Sequence, residues 1–234
     1  YLCLSAMLRA REPKLLNNDR AARMLDAASF EEAAKLLTDS GYADMSQMNA
    51  KEIEAYLTSR REEIFAELEK LAPDKIILDV FKMKYDYHNA KVIIKAEAMG
   101  QDAKRLMSAS GRIAPDKLLE IYNEDKISQL PAAFGEALSE AKSTLARTAN
   151  PQLADFILDR AYFAEIRAAA KTLGCPFLDG YAAILTDSTN LKSAVRTMRM
   201  GKDLEFMDSA LIPGGSVSTG RIVSAGDKES ITAL

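Results

Sequence analysis

The chain has 234 residues, of which 48% are hydrophobic and 28% are charged, and its 34 Asp and Glu against 31 Lys and Arg give a net charge of −3. This balance excludes a nucleic-acid platform, because phosphate contacts need a basic surface. Aromatic residues make up only 7%, with 11 Gly and 7 Pro, so strand formers and turn formers are both scarce and an all-helical protein is predicted.

Short helices are predicted in the first 50 residues. Ser29 followed three positions later by Glu32 is a capping-box pattern, which indicates the start of a helix. The Ser40-Gly41 pair is expected to end that helix, because glycine adopts the left-handed conformation that a C-terminal cap requires.

Two long helices are predicted between positions 49 and 106. From Asn49 onward, apolar residues recur at steps of three or four and define one stripe along a helix of about five turns. We expect Pro73 to start the next helix, in which adjacent apolar pairs indicate burial on more than one side. This helix is expected to continue, with a kink near Asp86, through Leu106.

Helix breakers divide the rest of the chain. Gly111, Pro115, Asn150-Pro151 and Gly174 interrupt the apolar periodicity. The remaining helices are therefore predicted at positions 116–122, 132–147, 151–173 and 177–211. A Gly- and Ser-rich loop is predicted at 213–220.

An internal repeat is the most informative feature of the sequence. The segment Tyr85–Asp102 aligns without a gap with Thr186–Asp203, which lies 101 positions later. Four positions carry the pattern in both copies: Asp86 with Asp187, Asn89 with Asn190, Lys91 with Lys192, and Gly100 with Gly201. The same offset carried backwards pairs positions 54–71 with 155–172.

The repeat also extends forwards. Gly111-Arg112-Ile113 recurs as Gly220-Arg221-Ile222, 109 positions later, which predicts about eight extra residues in the second copy. Because helix, break, helix and glycine stop recur in the same order, we interpret the pattern as a duplication. The predicted domains are an N-terminal helical segment at 1–50, a repeat at 51–150 and a second repeat at 151–234.

The shared Asp-x-x-Asn-x-Lys pattern is expected to be structural. At the start or bend of a helix, Asp and Asn accept hydrogen bonds from free backbone N–H groups, each cap being worth about 1 kcal/mol. When partly buried, the same side chains can tie a helix to its neighbour. We therefore predict that the eight matched residues are structural anchors, with ligand binding as the alternative.

The residue types available disfavour a catalytic, metal-binding or phosphate-binding site. His88, the only histidine, has no Cys or second His nearby and is predicted to be a packing or surface residue. Cys3 and Cys175 cannot form a disulfide framework or a four-thiolate zinc site. The loop at 213–220 lacks the Lys-Ser/Thr ending of a P-loop. We expect no catalytic residue, no metal and no cofactor.

The sequence also indicates a compartment. No apolar run approaches the roughly 20 residues that span a bilayer. Charged residues among the first 20 positions argue against a signal peptide, so the cytoplasm is the expected location.

Several motifs carry a resemblance to a known family. They are Asp86-x-x-Asn89-x-Lys91 with Lys95-Ala96 and Gly100, Asp187-x-x-Asn190-Leu191-Lys192 with Arg196 and Gly201, Asp159-x-x-Tyr162-Phe163, Pro176-Phe177-Leu178 with Tyr181, and the opening Tyr1, Arg9 and Arg11 followed by Leu15-Leu16. In order and spacing these motifs resemble the C subunit of archaeal and bacterial V/A-type rotary ATPases, known as the d subunit in the eukaryotic enzyme. The resemblance covers essentially the whole chain.

This resemblance implies three helical repeats arranged with pseudo-threefold symmetry as a funnel, of which this chain would lack the third. It implies a non-catalytic subunit, one copy per complex, that seats the central rotor stalk on the membrane ring of proteolipid subunits and supports ATP-linked proton or sodium transport. The protein would lie peripherally on the cytoplasmic face of the membrane without a span of its own. A start at Tyr1 rather than Met is in keeping with a truncated chain.

Two alternatives remain open at this point. One is a soluble helical scaffold or adaptor unrelated to ATPases, although a period of 101 residues exceeds the 20–50 residues usual for solenoids. The other is an enzyme that acts at a cleft between the repeats, which would need convergent polar residues in a pocket.

Overall fold

The computed structural model describes residues 1–225, and within that range the chain forms helices joined by loops, without a β-strand. The predicted all-α class is therefore confirmed. The α-helices in chain order are α1 (Leu2–Arg11), α2 (Asn18–Leu25), α3 (Phe30–Lys35), α4 (Ala50–Leu71), α5 (Ile76–Met99), α6 (Pro115–Asn123), α7 (Ala132–Thr148), α8 (Pro151–Leu173), α9 (Pro176–Arg199), α10 (Leu204–Ala210) and α11 (Thr219–Ala225). The last nine residues of the predicted second repeat lie outside the described range.

The chain divides into two compact units, Tyr1–Leu78 and Asp79–Leu234. In the first unit, side-chain caps start α2, α3 and α4. The Ser29 hydroxyl accepts a hydrogen bond from the Glu32 N–H at the start of α3, as the sequence predicts. Asn49 forms a complete capping box with Glu52, and α4 then runs for 22 residues.

The second unit contains a large apolar cluster to which α5, α6, α7 and α8 contribute, and a smaller one to which α9, α10 and α11 contribute. Tyr87 of α5 is only 2% exposed. Its ring packs edge-on against Phe134, with centroids 4.9 Å apart, and lies 5.5 Å from the ring of Tyr162. Leu138 of α7 and Leu158 of α8 are fully buried in the same cluster. Burial of this apolar surface is the main force that holds the unit together.

Both long helices that carry the repeated motif end at a glycine in the left-handed conformation. Gly100 has φ +62° and Gly201 has φ +63°. The N–H of the residue after each glycine bonds back to a carbonyl in the last helical turn, at 2.8 Å and 3.2 Å respectively. This is the Schellman arrangement that satisfies the terminal carbonyls.

Gly100 and Gly201 end two helices earlier than the sequence predicts. The helix expected to reach Leu106 ends at Met99, and the helix expected over 177–211 is divided into α9 and α10. A residue with left-handed backbone cannot continue a right-handed helix, and that constraint outweighs the apolar periodicity that runs on past each glycine. The start was also misplaced, because α5 begins at Ile76 rather than at Pro73.

Candidate functional site

The candidate site begins with Asp86, which is fully buried in the middle of α5. Its Oδ1 accepts hydrogen bonds from the backbone N–H groups of Arg112 (2.9 Å) and Ile113 (3.1 Å). Its Oδ2 accepts a third from the Arg112 guanidinium at 2.6 Å. Asp86 therefore holds the loop that precedes α6, and the possibility that it caps a helix start is wrong, because α5 continues through it.

Asn89 binds the same loop nearer to its start. Its Oδ1 accepts from the Ser108 N–H at 2.7 Å and its Nδ2 donates to the Ser108 carbonyl at 2.8 Å. The side-chain amide thus pairs with the backbone of a single residue through both of its polar atoms. Because Asn89 is fully buried, these bonds replace the water that the Ser108 backbone would otherwise need.

The second copy of the motif makes the same contacts. Asn190, also fully buried, accepts from the Ile212 N–H at 2.8 Å and donates to its carbonyl at 2.7 Å. The Asp187 carboxylate accepts from the N–H groups of Ser216 (3.0 Å) and Val217 (3.1 Å). We call each set, an Asp and an Asn three residues later together with the loop backbone they bind, a loop clamp.

A glycine lies against the carboxylate in each loop clamp. A Cβ atom added at Gly111 would lie 2.3 Å from Oδ1 of Asp86, and one added at Gly215 would lie 1.9 Å from Oδ1 of Asp187. Neither glycine has a positive φ, so the requirement for glycine here comes from close approach rather than from backbone conformation.

The loop clamps correct the predicted alignment of the two copies. The loop equivalent to Gly111-Arg112-Ile113 is Gly215-Ser216-Val217, at an offset of 104, and not Gly220-Arg221-Ile222 at 109. The second copy therefore has three extra residues rather than eight. They lie where α10 replaces the single 3₁₀ turn found at Lys104–Leu106 in the first copy. The sequence alignment was based on the short Gly-Arg-Ile identity, whereas the equivalent loop residues are those whose backbone binds the Asp and Asn side chains.

The two matched lysines differ in their surroundings. Lys91 forms an ion pair with Asp159 of α8, and one turn further along α5 the Lys95 ammonium lies 2.6 Å from the Asp155 carboxylate. These contacts join α5, the second long helix of the first copy, to α8, the first long helix of the second copy. Lys192 on α9 is exposed and forms no ion pair with any residue in the range 1–225.

A polar network links the first loop clamp to α8. The Arg112 guanidinium donates to Asp86 and, at 2.6 Å, to Oε1 of Glu165. The Tyr87 hydroxyl donates to Oε2 of the same carboxylate at 2.8 Å. The second copy has Ser216 and Ser188 at the positions of Arg112 and Tyr87, so it cannot build this network. The motif pointed to Asp86, but no spacing in the sequence pointed to Glu165.

Burial governs ionisation in this network. It raises the pKa of the Asp86 carboxyl, since the loss of solvent outweighs the opposing effects of the Arg112 guanidinium and the two backbone N–H groups. Burial also raises the pKa of Tyr87, with a further increase from the neighbouring Glu165 carboxylate. Both oxygens of the Asp86 carboxylate are already engaged by the protein, so it is arranged to hold a loop rather than to accept a proton from a substrate.

The residues with other possible chemistry are spread apart. His88 is exposed and its Nε2 lies 3.0 Å from the Leu106 carbonyl. Cys3 is exposed and Cys175 half-buried, and both are free thiols. Within the described residues, no cluster of three or more His, Cys, Asp or Glu has the geometry of a metal site. Helices of that same part of the chain are also too short or too polar to cross a membrane.

The sequence matches the model of the ATP synthase (C/AC39) subunit family over residues 4–234. It is similar to the C subunit of the V-type sodium ATPase of Enterococcus hirae, with 26% identity over 96% of this chain and 69% of the relative. It is also similar to the C subunit of the A-type ATP synthase of Methanocaldococcus jannaschii (24%, covering 88% and 56%) and to the C subunit of the V-type ATP synthase of Thermus thermophilus (22%, covering 86% and 64%).

The chain spans between about half and two thirds of the length of these curated relatives. Its loop clamps lie within the matched residues, since the family match begins at residue 4 and runs through both copies.

Proposed function

This chain belongs to the ATP synthase (C/AC39) subunit family, and from that premise we propose that it is part of a non-catalytic subunit that couples the central stalk of a V/A-type rotary ATPase to the proteolipid ring in the membrane. The matched relatives are named as C subunits of V-type and A-type ATPases or ATP synthases. The coupling role, the partners and a position on the cytoplasmic face of the membrane are our proposals for the whole protein.

The observation that best supports a mechanical role is the pair of loop clamps. In each, two side chains of a 24-residue helix are used entirely to fix the following loop to the helix. Asp86, Asn89 and Asn190 are fully buried, and hydrogen-bonded buried groups of this kind specify one geometry, because any displacement leaves backbone groups unpaired.

Close packing adds stiffness to this arrangement. Tyr87, Phe134 and Leu138 lie in a dense apolar cluster, and such interiors have low compressibility and transmit strain. A subunit that passes torque from a stalk to a ring needs this property more than it needs a reactive pocket. A scaffold unrelated to ATPases would need the same stiffness, so the family match is what supports the rotary-ATPase role over that alternative.

Co-purification of the full-length protein tests the proposal. An affinity tag on the protein, in membranes solubilised with a mild detergent, should recover the stalk subunits and the proteolipid ring in a fixed ratio. The same tag on a chain carrying Asn89→Ala and Asn190→Ala, which removes the Asn contacts of both loop clamps, should recover less of both. Recovery of the intact, folded protein free of stalk and ring would contradict the proposal.

A further inference from the structure

The polar network of Asp86, Tyr87, Arg112 and Glu165, which we call the Arg112 network, contains two carboxylates and a single cation. Each carboxylate lies 2.6 Å from a nitrogen of the Arg112 guanidinium. The Asp86 side chain is fully buried, and those of Arg112 and Glu165 are 15% and 14% exposed. The network therefore buries one negative charge more than its guanidinium can neutralise, which is unfavourable away from water.

A groove between α7 and α8 connects the network with solvent. The groove has a volume of about 530 Å³, and Glu165 forms part of its wall. Half of its lining is alanine, whose short side chains leave the space open (Ala133, Ala137, Ala161, Ala164 and Ala168). Solvent therefore reaches the Glu165 carboxylate, whereas Asp86 has no exposed surface.

The other charged groups of the groove do not neutralise Glu165. Glu136 and Glu140 of α7 line the same groove and form no ion pair within residues 1–225, so they add negative charge. Arg160 of α8 also lines it, but its guanidinium donates to the Ser209 carbonyl.

The remaining titratable groups near the network belong to α5 and α8. Lys82 lies one turn before Asp86 on α5. On α8, the ring of Tyr162 lies 5.5 Å from that of Tyr87. Among residues 1–225, Arg112 is the cation that the hydrogen bonds and ion pairs give to both carboxylates of the network.

We propose that the Arg112 network binds one proton between its two carboxylates as the pH falls from neutral towards about 5, and that this proton strengthens the contact of α8 with the loop before α6. The proton comes from solvent. One carboxylate and one neutral carboxyl then share the guanidinium, so the network becomes neutral. Because the two groups interact, the proton belongs to the pair and not to either residue alone.

The sign of the effect follows from the burial of Asp86. Burial raises the pKa of this carboxyl in the folded protein, whereas in a locally opened or unfolded chain the group has its ordinary pKa of about 4. The closed state therefore holds a proton that the open state releases. This stabilisation is present in full below about pH 4 and is lost as the pH rises through the raised pKa. An ion pair that lowers the pKa of its carboxylate responds in the opposite way, because acid weakens it.

This inference rests on the Arg112 network and not on the proposed coupling role. The network can bind a proton whether or not the protein binds a stalk or a ring. A failure of the test below would therefore leave the proposed function standing.

Hydrogen exchange of the full-length protein tests the inference at the amides of Arg112 and Ile113, which donate to Asp86. We expect their protection, corrected for the intrinsic effect of pH on exchange, to increase about tenfold from about pH 7.5 to pH 5.5. One bound proton changes a local opening equilibrium by up to about tenfold per pH unit. Protection that is unchanged or lower at about pH 5.5 would overturn the inference.

Glu165→Gln separates proton binding by the network from a general effect of acid. The glutamine keeps an oxygen for the Arg112 guanidinium and an amide for the Tyr87 hydroxyl, but it removes the excess negative charge. The increase in protection should therefore be lost in this variant. Glu205→Gln, at an exposed position of α10, is the matched control and should keep the increase.

The second loop clamp is an internal control, because it has no counterpart of Arg112. The amides of Ser216 and Val217, which donate to Asp187, should change less between the same two pH values. An equal increase at both loops, or an increase that persists in the Glu165→Gln protein, would place the proton outside the network and overturn the inference.

Discussion

At the residue scale, the close approach of Gly215 to Asp187 sets a steric limit that the sequence shows only as a glycine in a loop. The sequence pattern identified Asp86, Asn89 and their counterparts because they recur at a fixed offset. It could not identify the glycines or Glu165 as their neighbours, because those contacts join residues far apart in the chain and depend on how the helices pack.

Gly215→Ala should destabilise the protein by about 1–3 kcal/mol. The new Cβ would lie 1.9 Å from Oδ1 of Asp187, so the carboxylate must leave the N–H groups of Ser216 and Val217. Urea denaturation followed by circular dichroism measures the change. The matched control is Gly180→Ala in α9, where nothing lies within 4 Å of the added atom.

The control should move in the opposite direction. Alanine is about 1 kcal/mol more favourable than glycine in a helix interior, so Gly180→Ala should leave stability unchanged or increase it. Equal effects of the two substitutions would show that the loop does not press on Asp187.

The buried hydroxyl of Tyr87 predicts a dependence on alkaline pH. In the unfolded chain a tyrosine ionises near pH 10, whereas burial and the Glu165 carboxylate raise the pKa of Tyr87 in the folded protein. The folded state then keeps a proton that the unfolded state loses. The stability from this group is present in full below about pH 10 and falls above it, by about 1.4 kcal/mol per pH unit.

Tyr87→Phe should remove that part of the slope. The free energy of unfolding, measured by urea denaturation at half-unit steps from about pH 8 to 11, should fall less steeply above about pH 10 in the variant. Tyr1→Phe, at a residue 62% exposed, should follow the unmodified protein. Parallel curves for Tyr87→Phe and the unmodified protein would rule out a raised pKa at this tyrosine.

At the scale of secondary-structure elements, the sequence predicted most helices and misjudged where two of them end. A capping residue such as Ser29, and breakers such as Asn150-Pro151 and Gly174, act locally and can be recognised directly in the sequence. The continuation of α5 beyond Met99 was predicted because apolar periodicity runs past Gly100. Backbone conformation at a single glycine overrides that periodicity.

The loop clamps make a prediction at this scale, because each fixes a loop to a helix. Asn190→Ala should cost about 2–4 kcal/mol, since it removes two hydrogen bonds and leaves the buried N–H and carbonyl of Ile212 unpaired. Thermal or urea denaturation checks the value, and hydrogen exchange at Ile212 should accelerate. Asn123→Ala, at an exposed position at the end of α6, is the control and should change stability by less than about 0.5 kcal/mol. A loss no larger than the control's would mean that the clamp does not hold the loop.

At the scale of the whole molecule, a comparison of the two copies of the repeat shows which contacts they share and which occur in one copy alone. In the first copy, Lys91 and Lys95 of α5 pair with Asp159 and Asp155 of α8, whereas within residues 1–225 Lys192 and Arg196 of α9 form no ion pair. The funnel of three repeats remains a prediction.

The central proposal is that the full-length protein transmits rotation without catalysing hydrolysis. The direct measurement is ATP hydrolysis and ion transport in reconstituted vesicles that carry the rotary complex, with the full-length subunit removed and then restored. We predict that the catalytic part of the complex, once detached from the membrane ring, still hydrolyses ATP, that ion transport is lost without the subunit, and that transport returns in proportion to the amount added back. Ion transport that persists without the subunit, or hydrolysis by the detached catalytic part that requires the subunit, would contradict this proposal.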